Sequence, residues 1–452
     1  MNLDMFTEDS GKIDYPLSSV AENEWKEFAL YTVEARAIPS AVDGLKPSQR
    51  FYLYSSIRNT PKDFKKVESV AGTITDYGYN HGTTSAASAG QMLASEWNNN
   101  ICLVEGRGSF GTRLVQAAAA ARYTQTRLHP NFHVYIKDLD LAPKHVDPEH
   151  QPPAFYIPII PLVLANGVKG IATGFATTIL PRDPVDLAKA CEEYIKTGQI
   201  KMRPAVKFPH FSGTVKYVEE ENRYYCQGVY EKKSKTSLLI SEVPYGFDRV
   251  SYIKVLETLE DKDLIVSYED LCDKDGFAFE VKLKQSTSSK WDDEKILREF
   301  KLVKAFTENL TVIDPKGKLK EYDDERDIIK DFVDFRNTIL QQRIDLRMSE
   351  YAEEMRWLNI KMQFIQAVLN EEIKFKNKKK ADVSKQILEV TDAEHQDDCD
   401  RLLRINMMSL TDEMVKQLKK DISEAKKNLT FWKKTTVKDQ FIGDLVDLRD
   451  HA

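Results

Sequence analysis

Cysteine is scarce in this chain of 452 residues. The five cysteines are an odd number, and no two of them stand at the spacing of a zinc-ligand pair. The pattern argues against a disulfide framework and against a structural zinc site, and it indicates a reducing compartment. The five positions are Cys102, Cys191, Cys226, Cys272 and Cys399.

Long hydrophobic runs are also missing. The longest, residues 155–164, is interrupted by Pro158 and Pro161, and it is much shorter than the ~20 residues that span a bilayer as a helix. Residues 1–10 are polar and acidic, which is not the pattern of a secretory signal. We therefore expect a soluble, cytoplasmic protein that makes no membrane contact.

Three familiar catalytic motifs are absent from the sequence. It has no G-x-x-x-x-G-K-[ST] loop, so we expect no P-loop ATPase in this chain. It also has neither a G-x-S-x-G elbow nor an H-E-x-x-H helix. Asp138 and Asp140 form a candidate Mg²⁺ pair, but such spacing is common on protein surfaces, and we predict no metal site here.

Positive charge is in deficit overall, with a formal net charge of -6. Taken alone, that average argues against a nucleic-acid-binding protein. The charge is unevenly distributed, however, because residues 36–137 contain 12 Lys and Arg against 6 Asp and Glu. A locally basic module in an acidic chain is compatible with one DNA-binding face, although ordinary fluctuation produces the same pattern.

The length and the periodicity predict an α+β protein of several domains. Residues 1–150 contain short helices joined by tight turns, which is typical of a helix-turn-helix, and alanines favour a helix over residues 115–127. Residues 151–322 are rich in predicted strands, interrupted by a helix at residues 249–260. We expect this second region to be a mixed α/β domain.

The last region, residues 323–452, has a different pattern. Apolar residues recur at steps of three and four over residues 328–369 and again over residues 415–432, which indicates a coiled-coil seam. A helix over residues 325–373 would be roughly 70 Å long at ~1.5 Å per residue. We predict a long antiparallel coiled coil with a small helical dimerisation knob, and a compact helical bundle is the alternative.

One block concentrates the candidate chemistry. Glycines in residues 106–113 let a backbone approach a phosphate chain closely, and Arg113 and Arg122 supply charged hydrogen-bond donors. Tyr123 is a candidate nucleophile. The dipeptide alone carries no information, because Arg-Tyr recurs at Tyr224, in a predicted polar strand where we expect no function.

Three further blocks have both a functional and a structural interpretation. Residues 36–50 form a proline-stiffened turn whose cations either bind an anion or are simply solvated. His81, beside Gly82, is either catalytic or structural. Ile171, in a glycine-rich loop, is either an exposed wedge between base pairs or a core residue. The cations of the first block are Arg36, Lys46 and Arg50.

Taken in their order along the chain, the four blocks resemble the breakage-reunion subunit of the type IIA DNA topoisomerases, the family of gyrase A, topoisomerase IV and eukaryotic topoisomerase II. The motifs that carry the resemblance are R-A-I-P-x-x-x-D-G-L-K-P-x-Q-R, Y-x-H-G, G-x-G-x-F-G-T-R, A-A-x-R-Y and N-G-x-x-G-I-A-x-G-x-A-T. The form is similar to the medium subunits of T-even-type bacteriophage topoisomerases, because the chain starts close to the first helix and ends at the coiled coil.

The resemblance implies a winged-helix DNA-cleavage domain, a tower domain and a coiled coil that ends in the dimerisation knob. It also implies a role for each matching residue. Tyr123 would link covalently to DNA, and Arg122 would stabilise the transition state beside it. The residues that would assist at the scissile phosphate are Arg36 and His81, and those that would bind or bend the DNA are Lys46, Arg50, Arg113 and Ile171.

The implied activity is a transient double-strand break through which a second duplex passes. The implied partners are double-stranded DNA, a second copy of the chain, and a separate subunit that binds Mg²⁺ and ATP. The implied location is the cytoplasm, that of the host cell if the protein is phage-encoded. Asn80 and Glu105 depart from the family pattern, which usually has His and Asp at these places.

Two alternatives belong to other functional classes. A non-enzymatic, dimeric DNA-binding scaffold with coiled-coil arms would explain the basic module and the arms, but not the spacing around Tyr123. A tyrosine recombinase would need a dispersed set of Arg and His residues that cannot be assigned here.

Overall fold

The structure is a computed structural model that describes residues 17–288, 290–406 and 410–451. The chain divides into two compact units. The first unit comprises Met1–Phe335 with Asp444–Ala452, and the second comprises Arg336–Gly443. The predicted borders near residues 150 and 322 both lie inside the first unit, and they stay predictions.

The chain enters the first unit through two helices, α1 (Leu17–Val20) and α2 (Lys26–Thr32), each followed by a π-helical stretch. Three helices then pack together, namely α3 (Pro47–Asn59), α4 (Val67–Thr73) and α5 (Thr83–Leu93). The contact between α3 and α5 is close at Gly90, where an added Cβ would lie 2.2 Å from the Tyr52 ring.

A small antiparallel sheet accompanies these helices. Its strands are β1 (Lys65–Lys66), which lies between α3 and α4, β2 (Val104–Arg107) and β3 (Gln125–Leu128), and their order in the sheet is β1-β3-β2. Helices combined with a small sheet agree with the mixed α+β class. The assignment of this region as a winged helix stays a prediction.

The helix predicted over residues 115–127 was wrong. This segment is irregular until β3 begins at Gln125. The backbone is instead held by neighbouring groups, because Ala119 N donates to Ser109 O at 3.0 Å and Gln91 Nε2 donates to Ala119 O at 2.6 Å. These tertiary hydrogen bonds outweigh the intrinsic helix propensity of alanine.

A short helix, α6 (Phe132–Tyr135), and then α7 (Leu162–Asn166) lead into a tight hairpin of β4 (Val168–Ile171) and β5 (Ala176–Ile179). The turn between these strands closes with a 2.8 Å hydrogen bond from Ala172 N to Phe175 O. Gly174 takes a φ of 80°, which favours glycine. The hairpin therefore has a fixed shape and a tip that contains Ile171.

The remainder of the first unit is a mixed α/β region that begins with α8 (Pro184–Thr197). One sheet has the order β12-β7-β6 and a second has the order β10-β11-β9-β8. The strands predicted near residues 214–218, 237–240 and 277–283 are confirmed, as is the helix at residues 249–260, but the strand predicted over residues 224–230 is interrupted at Gly228 and divides into β7 and β8 of different sheets. The elements are β6 (Thr214–Val218), β7 (Arg223–Gln227), β8 (Val229–Lys232), β9 (Ser237–Glu242), α9 (Arg249–Asp261), β10 (Ile265–Asp270), β11 (Phe279–Leu283), α10 (Gln285–Ser288), α11 (Asp293–Glu299), β12 (Val303–Phe306), β13 (Leu310–Ile313) and β14 (Leu319–Tyr322).

The long helix predicted from residue 325 is confirmed as α12 (Glu325–Leu369), 45 residues in length. It ends before the predicted residue 373, because Glu371 takes a positive φ of 60° that interrupts the helical backbone. The second predicted seam lies in α15 (Asp412–Lys434), and the Thr411 side chain caps that helix by accepting from Met414 N at 3.2 Å.

Within the second unit, the end of α12 packs with two shorter helices and the start of α15 around one apolar core. The shorter helices are α13 (Lys380–Val390) and α14 (Gln396–Leu402), and α16 (Val437–Arg449) closes the described chain. The coiled-coil arrangement and the dimerisation role of the helical cluster stay predictions. No helix in the described ranges is both long enough and apolar enough to cross a membrane.

Candidate functional site

Tyr123 lies in the turn that leads into β3, and its side chain is 70% exposed. The turn is closed by a 2.8 Å hydrogen bond from Tyr123 N to Ala120 O. The guanidinium carbon of Arg122 lies 4.7 Å from the centroid of the Tyr123 ring, which is within the range of a cation–π contact. The phenol is thus presented to solvent with a cation held against its ring.

Arg36 and His81 come together through a third residue, Tyr31. The Tyr31 hydroxyl and His81 Nε2 are 3.0 Å apart and share a hydrogen bond. The guanidinium carbon of Arg36 lies 5.3 Å from the centroid of the Tyr31 ring, and the His81 ring meets that of Tyr79 edge-on at 5.3 Å. This cluster offers two cationic or proton-carrying groups to one ligand.

Tyr31 is a site residue that no sequence motif had indicated. It lies on α2, five residues before Arg36, and its side chain is 41% exposed. Trp25 and Phe28, close to Tyr31 in the sequence, are also exposed, whereas Val33 is buried. The sequence did contain one signal for Tyr31, an aromatic hydroxyl close to an arginine of a motif. Helical periodicity could not identify it, because periodicity reports only on the apolar face of a helix.

The predicted DNA contact stays a prediction for Arg50, whose guanidinium is engaged inside the protein. The side chain is buried and forms a two-point ion pair with Asp43, at 2.9 Å from Nε and 3.0 Å from Nη2. It also donates to Leu45 O at 3.0 Å. A bidentate buried pair of this kind fixes the position of both side chains, so Arg50 holds the turn that carries Lys46.

Lys46 keeps a position compatible with anion binding. Its Nζ donates to Lys169 O at 2.8 Å, and burial lowers the pKa of its ammonium group. The turn that holds it also begins α3, where Gln49 Oε1 accepts from Lys46 N at 2.9 Å. The prediction that Lys46 contacts DNA stays a prediction.

Arg113 is engaged inside the protein in the same way as Arg50, and its predicted DNA contact also stays a prediction. Its side chain is 7% exposed, and Nη1 donates to Glu242 Oε1 at 2.8 Å, while Nη2 donates to Val243 O at 3.0 Å. Three aromatic rings surround the guanidinium at 5.2–5.4 Å. These contacts anchor the glycine-rich loop to the end of β9. The three rings are those of Phe211, Tyr245 and Phe277.

Ile171 is exposed to 88% at the end of β4, so the alternative that it is a core residue is wrong. Contacts with neighbouring backbone fix the hairpin that carries Ile171. An added Cβ at Gly170 would lie 2.1 Å from Ala37 O, and Thr178 exchanges two 2.9 Å backbone hydrogen bonds with Asn309. An apolar side chain on a rigid hairpin has the geometry of a wedge.

Tyr224 lies on β7, in the strand where no function was expected. It is buried, its hydroxyl accepts hydrogen bonds from Arg182 and Arg203, and burial raises its pKa. The neighbouring Tyr225 is partly exposed and donates to Glu221. Tyr225 is therefore a better control tyrosine than Tyr224.

Glu105, one of the two departures from the family pattern, pairs with Arg127 across the small sheet at 2.7 Å. In the ranges that the structure describes, no three His, Cys, Asp or Glu side chains are grouped so as to hold a metal ion. Nor does any hydrogen bond or ring contact among the described residues connect Tyr123 to the cluster of Arg36, Tyr31 and His81.

Comparisons with known proteins point in one direction. The model of the family that comprises the A subunits of DNA gyrase and topoisomerase IV matches residues 36–447. The chain is 40% identical over 441 residues to the DNA topoisomerase medium subunit of Enterobacteria phage T4, which covers 96% of this chain and 98% of that protein. It is 31% identical over 376 residues to DNA topoisomerase 2 of Arabidopsis thaliana.

The plant alignment covers 79% of this chain but 25% of the plant protein. The fold is similar to the crystal structure of the Plasmodium falciparum topoisomerase II DNA-binding, cleavage and re-ligation domain, with a TM-score of 0.85 and 27% identity. That match covers 96% of this chain and 64% of the other. The chain thus spans nearly the full length of the phage protein and a quarter of the plant protein.

Proposed function

Because this chain belongs to the family of DNA gyrase and topoisomerase IV A subunits, we propose that it is the DNA-cleaving and rejoining subunit of an ATP-dependent type IIA DNA topoisomerase. The observation that carries this proposal is the exposed phenol of Tyr123 with the Arg122 guanidinium against its ring. The match of the family pattern across residues 36–447 supports it.

The chemistry begins with the Tyr123 oxygen. It attacks a backbone phosphorus and loses its proton, the bond between phosphorus and the 3′-oxygen breaks, and that oxygen leaves as a hydroxyl after taking up a proton. The 5′ end of the strand stays attached as a phosphotyrosyl ester. The ester conserves the energy of the broken bond, so the reverse attack by the 3′-hydroxyl reseals the strand without ATP.

Arg122 has the position of a preorganised donor, which stabilises the charge that develops on the phosphate oxygens. Arg36 and His81, linked by Tyr31, assist at the phosphate in the same proposal. Lys46 contacts the DNA backbone, and Ile171 enters a base step and bends the duplex. Arg50 and Arg113 hold the loops that carry these groups.

Phosphoryl transfer at such a site needs a metal ion to neutralise charge. We place Mg²⁺ and ATP on a separate subunit, because the sequence has no P-loop and the described residues have no metal-binding group of side chains. The full reaction further needs two copies of the chain, one tyrosine for each strand, joined through the helical cluster of residues 376–410. Similarity to a phage protein favours the cytoplasm of a host cell.

The rival function, a DNA-binding scaffold with coiled-coil arms, explains the long helices α12 and α15. It gives no reason for an exposed tyrosine with a cation stacked on it. A covalent bond between protein and DNA distinguishes the two functions, because a scaffold forms none.

The test is Tyr123→Phe, assembled with the ATPase subunit in Mg²⁺. Because only an exposed hydroxyl is removed, we expect unchanged folding and DNA binding, but complete loss of covalent adduct and of plasmid relaxation. The adduct is measured by capturing protein on labelled DNA under denaturing conditions. Tyr225→Phe is the matched control and should be silent, and adduct that persists in Tyr123→Phe would show that the nucleophile lies elsewhere.

A further inference from the structure

A cavity of about 450 Å³ lies beside the hairpin of β4 and β5. Three lysines line it, contributed by three separate parts of the first unit: Lys46 before α3, Lys169 on β4 and Lys304 on β12. Uncharged polar side chains of Gln49, Asn98, Asn99, Asn166 and Gln116 also line the cavity. Apolar side chains, among them Leu93, Trp97 and Phe306, line it as well, so the cavity has a mixed lining that carries three cations.

The cavity has, among its described lining residues, no free carboxylate that could neutralise the lysines. Its one acidic lining residue is Asp43, whose carboxylate already accepts from Arg50 and from the backbone amides of Leu45 and Tyr156. In the part of the chain that the structure describes, no carboxylate oxygen comes within 4.0 Å of the ammonium group of Lys46, Lys169 or Lys304. Three cations thus share one cavity without a counter-charge.

Two of the three lysines, Lys46 and Lys304, are held in place by neighbouring groups, whereas the Lys169 side chain is exposed at the mouth of the cavity. Lys46 Nζ donates to Lys169 O at 2.8 Å. Lys304 Nζ lies 5.4 Å from the ring centroid of Phe247 and 5.2 Å from that of Phe306. The backbone also approaches Lys304 closely, because an added Cβ at Gly246 would lie 2.6 Å from its Nζ.

This arrangement is costly for the free protein. Burial lowers the pKa of Lys46 and of Lys304, and the charge of Lys169 lowers that of Lys304 further. Lys46 and Lys304 are half-buried, and cations partly taken out of water without a carboxylate partner destabilise the fold. An anionic ligand would remove that cost, and Lys169 stands two residues before Ile171 on the same strand.

We propose that Lys169 and Lys304, together with Lys46, form a phosphodiester-binding site that receives the DNA backbone next to the Ile171 wedge. The inference rests on the proposed function, which supplies the DNA. A duplex bent at the wedge brings its flanking phosphates toward the cavity, and the contacts made there offset part of the bending cost. The site is one of backbone contact and carries no base recognition.

The experiment compares the wild-type chain with Lys169→Ala/Lys304→Ala, each assembled with the ATPase subunit. Lys46 keeps its contact in the double variant, because its acceptor is the main-chain oxygen of residue 169. Affinity for a duplex with one cleavage site is measured between about 50 and 200 mM salt. Each lost phosphate contact lowers the slope of log affinity against log salt by ~0.9, so we expect a decrease of ~1.8.

The matched control is Lys254→Ala/Lys262→Ala, which removes two exposed lysines at α9 and its C-terminal cap, outside the cavity. It should leave the slope unchanged. A slope in Lys169→Ala/Lys304→Ala equal to that of the wild type, with normal adduct formation, would overturn the inference while the proposed function stands. If the wild-type chain itself forms no adduct but the double variant still has the reduced slope, the result would support the cavity site and count against Tyr123 as the nucleophile.

A free anion is the other source of the same chemistry. It is tested by thermal unfolding in sodium phosphate and in sodium chloride at equal ionic strength. Stabilisation of the wild type by phosphate, lost in the double variant and accompanied by an unchanged DNA slope, would show a site for free anions and overturn the DNA proposal. Equal unfolding temperatures in both salts, together with the reduced slope, support the proposal.

Discussion

Arg113 and Arg122 belong to one loop region, yet they have opposite environments. Arg113 is 7% exposed and paired with Glu242, whereas Arg122 is exposed and stacked on the ring of Tyr123. One arginine fixes the loop to the α/β region behind it. The other remains available to a ligand. Under the proposed function, in which this loop presents a nucleophile, both arginines are needed, because a reactive group is only as well placed as the backbone that carries it.

Removal of the buried arginine should destabilise the protein. Arg113→Ala leaves Glu242 buried without its partner, and breaking a buried ion pair in this way costs about 3–5 kcal/mol of unfolding free energy. Urea denaturation measures the change. Arg107→Ala, an exposed arginine of the same loop, is the control and should change stability by less than about 0.5 kcal/mol. A small loss for Arg113→Ala would mean that the loop is anchored by other contacts.

Removal of the exposed arginine should affect the reaction instead of the stability. Arg122→Ala should leave the urea midpoint unchanged, because its guanidinium lies on the surface. The rate of covalent adduct formation should decrease about 100- to 1,000-fold, the usual effect of losing one preorganised donor. The rate is measured in single-turnover reactions with the partner subunit. If Arg122→Ala unfolded as readily as Arg113→Ala, the two arginines would not differ in role.

The hairpin of β4 and β5 also combines an exposed side chain, that of Ile171, with a firmly held backbone. Ile171→Ala should reduce DNA bending, measured by fluorescence transfer between the duplex ends, more than it reduces affinity. The cost of unstacking a base step is no longer met by an inserted side chain. Val146→Ala, another exposed apolar residue, is the control. Unchanged bending would assign the wedge to a different residue.

Much of the fold could be predicted from the sequence wherever the signal is local. The three-four step of apolar residues identified α12 and α15, because such a step is set by the backbone of one helix alone. The prediction of a helix from the alanines of residues 115–127 failed for the opposite reason. Their conformation depends on Ser109 and Gln91, which are distant in sequence, and propensity does not include such bonds.

The site divides in the same way. Motif spacing located Tyr123, Arg122 and Ile171, all of which the structure leaves exposed. It could not distinguish a solvent-facing arginine from a buried one, because burial depends on residues that the motif does not contain. Asp43 lies within the motif of Arg50, but Glu242, the partner of Arg113, lies 129 positions along the chain.

The rigid base of the Ile171 hairpin has a consequence for which DNA is cut. Gly170 against Ala37 and the paired bonds between Thr178 and Asn309 leave the protein little room to adjust when it meets a duplex. Under the proposed function, the deformation must then come from the DNA. Pyrimidine–purine steps unstack most readily, so the preferred break sites should follow the local flexibility of the double helix rather than a consensus of bases, and a single nick or mismatch at the wedge position should create a strong site in any sequence.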